Sequence, residues 1–465
     1  MMNYVSTRGG AAPTTFRDAL LRGMAPDGGL YMPARWPTLS AGDLRAAAAR
    51  PYVDLAADIL GLFAGESLPP AAVRAAADRL TGTFHHAAIT PLVQLEPNLW
   101  VLELFHGPTA AFKDLAMQMM AVLTDAALEG TGQRLLLLTA TSGDTGAAAV
   151  RAFAGAESVD LAVLHPLDRV SPVQRRQMTT VDAPNVLNLA VRGDFDDCQR
   201  LVKAILADET LREGRRVSSV NSINWGRLAG QVPYYVAAAS ALGAPHVTPR
   251  FVVPTGNFGD AFAGWVARAM GVPLTLTAAV NRNDALARAL NHGRYERTAA
   301  NPTASVSMDV QAPSNFERLL FEATGRDADA TRAFFDTFAR DGAVDLAPDL
   351  LAALRADAAA VSIDEDRTRA EIAHAWEAYG RVICPHTAVA LAAARDMARE
   401  GGPVVALSTA HPAKFPESVA PVLGFEPPVP PALAAITGGK ERLTVIDADL
   451  DQALAAVKAL QGHPS

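Results

Sequence analysis

The sequence holds little cysteine, and that scarcity narrows its chemistry. Cys198 and Cys384 are the only two in 465 residues. They stand far apart and match no metal-ligand spacing, so no metal site and no disulfide framework are expected, only two thiols in a reducing compartment. No block of lysine and arginine appears and the net charge is −8, which argues against nucleic acid as a partner. Long apolar runs are also missing. Each is broken by Gln, Pro, Asp or Gly, so no membrane-spanning helix is expected, and residues 1–8 carry no apolar signal core. The expectation is a soluble cytoplasmic protein. An anionic small substrate would need individually placed arginines.

Charged residues make up 19% of the chain and hydrophobic ones 50%, enough for a large core in two or three domains. Strand and helix signals alternate over much of the sequence, which predicts parallel sheets. Strands are expected at Arg134–Thr141, Val159–His165, Val186–Val191, Val217–Val220, Phe251–Pro254, Leu274–Val280 and Val404–Ser408. Helices are expected at Pro172–Met178, behind the cap Ser171, and at Phe195–Leu211, Trp225–Leu242, Asp260–Met270 and His386–Arg399. The first eighty or so residues read as helical. We place domains at 1–85 (N-terminal, mainly helical), at 86–125 with 216–430 (large), and at 126–215 (small and mobile). Residues 431–465 read as a C-terminal tail behind the linker Pro427–Pro431.

The run His106-Gly-Pro-Thr-Ala-Ala-Phe-Lys113-Asp114 sets a lysine at the mouth of a helix. Apolar residues recur at Phe112, Leu115, Ala116, Met119 and Leu123, a helical stripe. Thr109 reads as the N-cap, and Asp114 as a first-turn acid. Lys113 then lies at the positive end of the dipole, where its ammonium is disfavoured. A lysine made partly neutral is a nucleophile for carbonyls and a base. Spacing alone leaves it either that or a solvated surface charge.

Two strand-to-helix loops carry glycine. Pro254-Thr-Gly-Asn-Phe-Gly-Asp260 is either an ordinary turn or an anion cradle built from backbone amides. No Gly-Lys-Ser/Thr ends it, so it is not a nucleotide P-loop. Thr141-Ser-Gly-Asp-Thr-Gly146 leaves the same two readings open.

Taken together, these strings resemble the threonine synthases of the bacterial and fungal type. The resemblance runs from about Asn3 to Phe425. It includes Tyr4–Gly10, Asp27–Pro33, Ser171–Met178, Asn221–Arg227, Ser307–Gln311, Ser314–Leu319 and Leu407–Lys414. It implies an α/β fold of the tryptophan-synthase-β type, pyridoxal-phosphate fold type II, with twisted, mostly parallel sheets flanked by helices and a helical N-terminal domain. It implies pyridoxal 5'-phosphate held by Lys113, with its phosphate on Gly256, Asn257, Phe258 and Gly259, and Asp260 adjacent. Asp144 would face the ring oxygen, where relatives of the wider fold group usually have Asn. Thr409, with Ser408 as fallback, would meet the ring nitrogen. The substrate, O-phospho-L-homoserine, would be held by Thr141, Ser142, Gly143 and Thr145. Arg175, Arg176, Asn224 and Arg227 are further candidates, with Arg169 beside them, because Arg presents a fork to phosphoryl oxygens. His411 and Lys414 read equally as substrate-facing or as surface residues. Cys384 stands where the family pattern leads one to expect Asp, which leaves the role of His386 open. The resemblance implies conversion of the substrate and water to threonine and phosphate by a monomer or small homo-oligomer, with the small domain closing over the site. A dehydratase of the same fold would need no second anion site. A silent ligand-binding homologue fits poorly with an intact Lys113 and both glycine loops.

Overall fold

The computed structural model describes residues 2–212, 215–436 and 439–460. Two parallel sheets carry the site. The larger has six strands in the order Ala359–Ser362, Thr275–Val280, Arg250–Pro254, Val404–Ser408, Leu99–Glu103 and Leu92–Glu96. Only the last pair is antiparallel. The smaller has five parallel strands in the order Thr444–Asp447, Val186–Arg192, Val159–Pro166, Arg134–Ala140 and Arg215–Ser219. The strands Val159–Pro166 and Val404–Ser408 are buried along their whole length, as parallel strands covered on both faces must be. The helix Pro385–Ala398, rich in alanine, packs against the strands Val404–Ser408 and Arg250–Pro254.

Residues 4–83 form four helices and a two-stranded antiparallel sheet, Tyr4–Ser6 with Tyr31–Pro33. The turn between them is fixed by Asp27, whose carboxylate accepts the amides of Gly10 and Gly29 and the hydroxyl of Ser6.

Several elements depart from the sequence reading. The expected helix Trp225–Leu242 is broken into Trp225–Ala229 and Val232–Ala241. Pro233 cannot donate within a continuous helix and instead sits in the first turn of the second one. The helix from Phe195 ends at Ala207, followed by a short 3-10 turn. The hairpin Leu92–Glu96/Leu99–Glu103 and the strands Ala359–Ser362 and Thr444–Asp447 lie in segments too short for a clear period.

The C-terminal segment is more than a tail. Thr444–Asp447 pairs with Val186–Arg192, and the helix Leu450–Ala459 packs on Phe195–Ala207. Ile446, Ala453 and Val457 join Leu189, Leu201 and Ile205 in one buried cluster. Residues 437, 438 and 461–465 of that segment lie outside the described residues. Because Ile446 is 5% exposed, Ile446→Ala is expected to destabilise the protein by about 2–5 kcal/mol. Urea unfolding followed by circular dichroism checks this; an unchanged midpoint would mean that the segment does not pack.

Candidate active site

Segments that follow strands of both sheets meet where Asp144 contacts Lys113 and Lys414, at the strand ends where open parallel sheets usually bind ligands. Strands Leu99–Glu103 and Val404–Ser408 leave the larger sheet side by side. Their continuations stay together: Leu104 N donates to Ser408 O, Phe112 N to Thr409 O, and His411 N to Ala110 O. The start of the Lys113 helix is thereby pinned to the exit of a buried strand.

That helix begins at Lys113 itself, and the position before it, Phe112, provides no side-chain cap. Thr109 is therefore not the N-cap the sequence suggested. The direction is reversed: Asp114 reaches back, accepting Thr109 N at 2.8 Å and Thr109 Oγ1 at 2.7 Å. Gly107 permits this, since a Cβ there would stand 2.6 Å from Asp114 Cβ. The Lys113 ammonium lies 3.1 Å from Asp144 Oδ2 and 4.9 Å from the centre of the Phe112 ring. Burial lowers its pKa, Asp144 opposes the shift, and the charges of Lys414 and Arg227 add to it. Desolvation, rather than the helix dipole the sequence points to, is the leading cause.

Asp144 is the hub. Its Oδ1 accepts Lys414 Nζ at 2.7 Å and Gln174 Nε2 at 2.8 Å; its Oδ2 accepts Lys113 and, at 3.3 Å, Ser307 Oγ. Burial alone would raise its pKa, but the two ammonium groups hold the carboxyl well below the usual carboxylate range. His386 is buried nearby. Its Nε2 accepts Ser307 N at 3.2 Å, so its proton sits on Nδ1, which has no partner among the described residues. Burial pushes its pKa down to about 4, so the ring is neutral.

The loop after Pro254 forms the second part. Phe258 takes a left-handed conformation with φ of 61°. Gly256 lies against the chain at Ser307, whose carbonyl oxygen would be 2.6 Å from an added Cβ. Among the described residues, no carbonyl accepts the amides of Gly256 through Ala261. A run of free amides opening the helix Gly259–Ala269 is an anion cradle. Asn257 is exposed and tied down by Asn315, which donates twice to its carbonyl. The Asp260 carboxylate turns instead to the hydroxyls of Tyr234 and Tyr235, and burial raises its pKa to about 6. It supports the cradle from behind.

In the loop after Ala140, Thr141 Oγ1 accepts the amides of Gly143 and Gly146, each at 2.9 Å. Its role is to shape the loop. Gly143, with φ of 138°, touches the side chain of Gln174, and Gly146 touches Thr141 and Met178 so closely that no Cβ fits. Ser142 and Thr145 are half-buried. Their hydroxyls and amides have no partner among the described residues, which suits a carboxylate.

Other candidates divide. The Ser408 hydroxyl is engaged with Thr387, while the Thr409 hydroxyl has no partner among the described residues. Arg227 is buried, donates to Val220 O at 3.0 Å, and keeps Nε unpaired among the described residues. Asn224 is occupied, accepting Gly226 N and donating to Leu20 O; it caps a helix rather than facing the substrate. The Arg175 fork is taken by Glu441, with both contacts at 3.0 Å, and Arg176 shares that carboxylate. Alternate faces of one helix explain this: Gln174 and Gln177 point into the site, Arg175 and Thr179 point to Glu441. Arg169 is exposed. His411 is half-buried and accepts Ala413 N. Lys414 is fully buried, not a surface residue. Cys384 caps its helix by accepting Thr387 N. Gln174 and Ser307 lie in segments the sequence marks, yet nothing in their own spacing announces contact with Asp144. Among the described residues, no group of His, Cys, Asp and Glu is arranged to hold a metal, and no helix is long and apolar enough to cross a membrane.

A buried amine, a free-amide cradle and a hydroxyl at a third strand end fit pyridoxal phosphate, which needs a lysine, a phosphate site and a partner for its ring nitrogen. Residues 83–349 match the family model described as pyridoxal-phosphate dependent enzyme, the class to which fold and site point. Residues 3–79 match the model for the threonine synthase N terminus, and 387–459 the one for the threonine synthase C-terminal region. A Pseudomonas aeruginosa protein named threonine synthase is 43% identical over 98% of both chains. The crystal structure of a PLP-bound threonine synthase from Brucella melitensis superposes with a TM-score of 0.96 at 45% identity, covering 99% of each chain. The yeast threonine synthase structure gives 0.92 at 34%, covering 98% of each. The chain belongs to the threonine synthase family.

The depressed pKa of His386 has a consequence for stability. Unfolded, the ring takes up a proton below its ordinary value of 6.5; folded, it resists until about 4. The unfolded state therefore binds more protons in that window, and stability falls as pH drops through it. His386→Gln should flatten part of this slope between pH 6.5 and 4 in denaturant titrations. An unchanged slope would mean that the ring protonates freely in the folded protein.

Proposed function

We propose that the protein converts O-phospho-L-homoserine and water to L-threonine and phosphate, with Lys113 as the covalent anchor of the cofactor and the principal proton carrier. The observation that carries this reading is the buried Lys113 amine, held on Asp144 between the loop Gly256–Asp260, whose amides are free among the described residues, and the loop Thr141–Gly146, where those of Ser142 and Thr145 are. Bound pyridoxal phosphate supplies an electron sink for charge developing on the substrate carbons next to the amine. The cradle at Gly256–Asp260 would hold its phosphate, and the Thr409 hydroxyl would serve the ring nitrogen. The loop Ser142–Thr145 binds the substrate carboxylate. Lys113, its pKa lowered by burial, takes the Cα proton at Nζ; a Cβ proton is then lost as phosphate leaves Cγ, and protons return to Cγ and Cα as water adds at Cβ. Packing of both domains around Asp144 keeps stray water from the reacting carbons.

Arg227 is the arginine we assign to the substrate phosphate, since its Nε is buried and unpaired while the Arg175 fork is occupied. Arg227→Met is expected to lower kcat/KM by about ten- to a hundredfold, in keeping with about 1.5–3 kcal/mol for a hydrogen bond to a charged group, chiefly through KM. Arg175→Met should change it by less than about threefold. Steady-state kinetics with O-phospho-L-homoserine decides, and the reverse ranking would move the assignment to Arg175. We also propose a cytoplasmic enzyme acting as a monomer or small homo-oligomer; the two buried free thiols suit a reducing compartment.

The decisive experiment measures phosphate and threonine together from the purified holoenzyme, with Lys113→Ala beside it. Equal yields, lost in the variant, are expected. Phosphate accompanied by 2-oxobutanoate in place of threonine would reduce the reaction to a plain γ-elimination.

A further inference from the structure

Lys414 is the least expected charge in the molecule. Its side chain is 0% exposed. It comes from the short turn Pro412–Lys414, directly after the strand that ends at Ser408. Its ammonium donates to Asp144 Oδ1 at 2.7 Å and to Thr109 O at 2.8 Å. Thr109 O also accepts Gln177 Nε2 at 2.8 Å, and Gln174 donates to the same Asp144 oxygen. The lysine is thus fixed by groups that follow strands of both sheets. A buried cation with a single carboxylate shared by a second cation is not a stabilising arrangement in itself, because desolvation outweighs a divided attraction.

The division of Asp144 gives the arrangement a purpose. One oxygen is taken by Lys414 and Gln174, the other by Lys113 and Ser307. Were Lys414 neutral, the Asp144 charge would belong to Lys113 alone. Lys113 would then be held as an ammonium, which is neither a nucleophile nor a base. We propose that Lys414 is a positioning residue of the reaction: it saturates one oxygen of Asp144, leaves the other to aim the Lys113 nitrogen, and by its fixed charge keeps that nitrogen available as an amine. This goes beyond the reading above, in which Lys414 has no role, and rests on it only for the identity of Lys113 as the reacting lysine.

The other titratable groups facing Lys113 are Arg227, which acts in the same sense as Lys414, Asp260, and the neutral ring of His386. Asp114 faces Lys414 from the Lys113 helix. None of them contacts both lysines in the way Asp144 does.

The test uses the apoenzyme, pyridoxal phosphate as the probe, and the visible absorbance that appears when the lysine becomes linked to it. The initial rate is followed against pH, since only the amine form of Lys113 reacts. In Lys414→Met the midpoint should rise by about one unit, which is about a tenfold slower rate at neutral pH, with the rates converging in alkali. Lys414→Arg, which keeps the charge, should stay close to the unaltered protein. Asp144→Asn should move the midpoint down. A Lys414→Met midpoint equal to that of the unaltered protein overturns the proposal, as does an equal shift in Lys414→Met and Lys414→Arg, which would make the effect one of packing. If Lys414→Met does not fold, by loss of a cooperative unfolding transition, Asp144→Asn decides: an unmoved midpoint there also overturns it. Because the readout needs no substrate, failure here stays distinct from failure to make threonine.

Discussion

One carboxylate between two lysines organises this molecule. Asp144 opens the helix that follows the strand Arg134–Ala140 of the smaller sheet, Lys113 and Lys414 follow strands of the larger, and the three meet in a site from which water is largely removed. In such surroundings a charge is tolerated only if its partners are arranged in advance. The rest of the architecture provides that arrangement. The strand Val404–Ser408 delivers Lys414, its neighbour Leu99–Glu103 leads to Lys113, and the smaller sheet brings Asp144 to both. The two sheets meet where their opposite charges are, and the reactive nitrogen lies at that meeting point.

Backbone geometry completes the site with little help from side chains. The cradle at Gly256–Gly259 works through amides, and the loop Thr141–Gly146 folds around a threonine hydroxyl. Both require glycine for space: the chain at Ser307 presses on Gly256, and Met178 on Gly146. The segment around Ser307 touches the cradle, His386 and Asp144 alike, so the anion site and the charged cluster are built as one piece.

Much of this was legible in the residues. The Lys113 string, both glycine loops and the alternation of strands gave the fold class and the place of the chemistry, because each is a local pattern with a local cause. What remained hidden depends on long-range contacts. Thr109 reads as a cap, yet Asp114 bonds back to it, since the helix starts later than the apolar stripe suggests. Arg175 reads as a phosphate ligand, but its helix turns Gln174 to the site and Arg175 toward Glu441, more than 260 residues away in the chain. Lys414 could not be told from a surface lysine, because nothing near it in sequence announces that it is buried. Thr444–Asp447 is too short and too exposed along its length to declare itself a strand.

That last strand bears on how the chain is made. A ribosome delivers the strands at 134–219 long before Val445, which pairs with Ala190, so Val186–Arg192 is an edge until Thr444–Asp447 arrives. Throughout the synthesis of the 224 residues between Ser219 and Thr444 the nascent smaller sheet presents an open row of backbone donors and acceptors, the kind of surface through which chains join to one another. The strand Thr444–Asp447 therefore acts as a fastener applied late, and the smaller sheet is most vulnerable to misassembly before that strand is made.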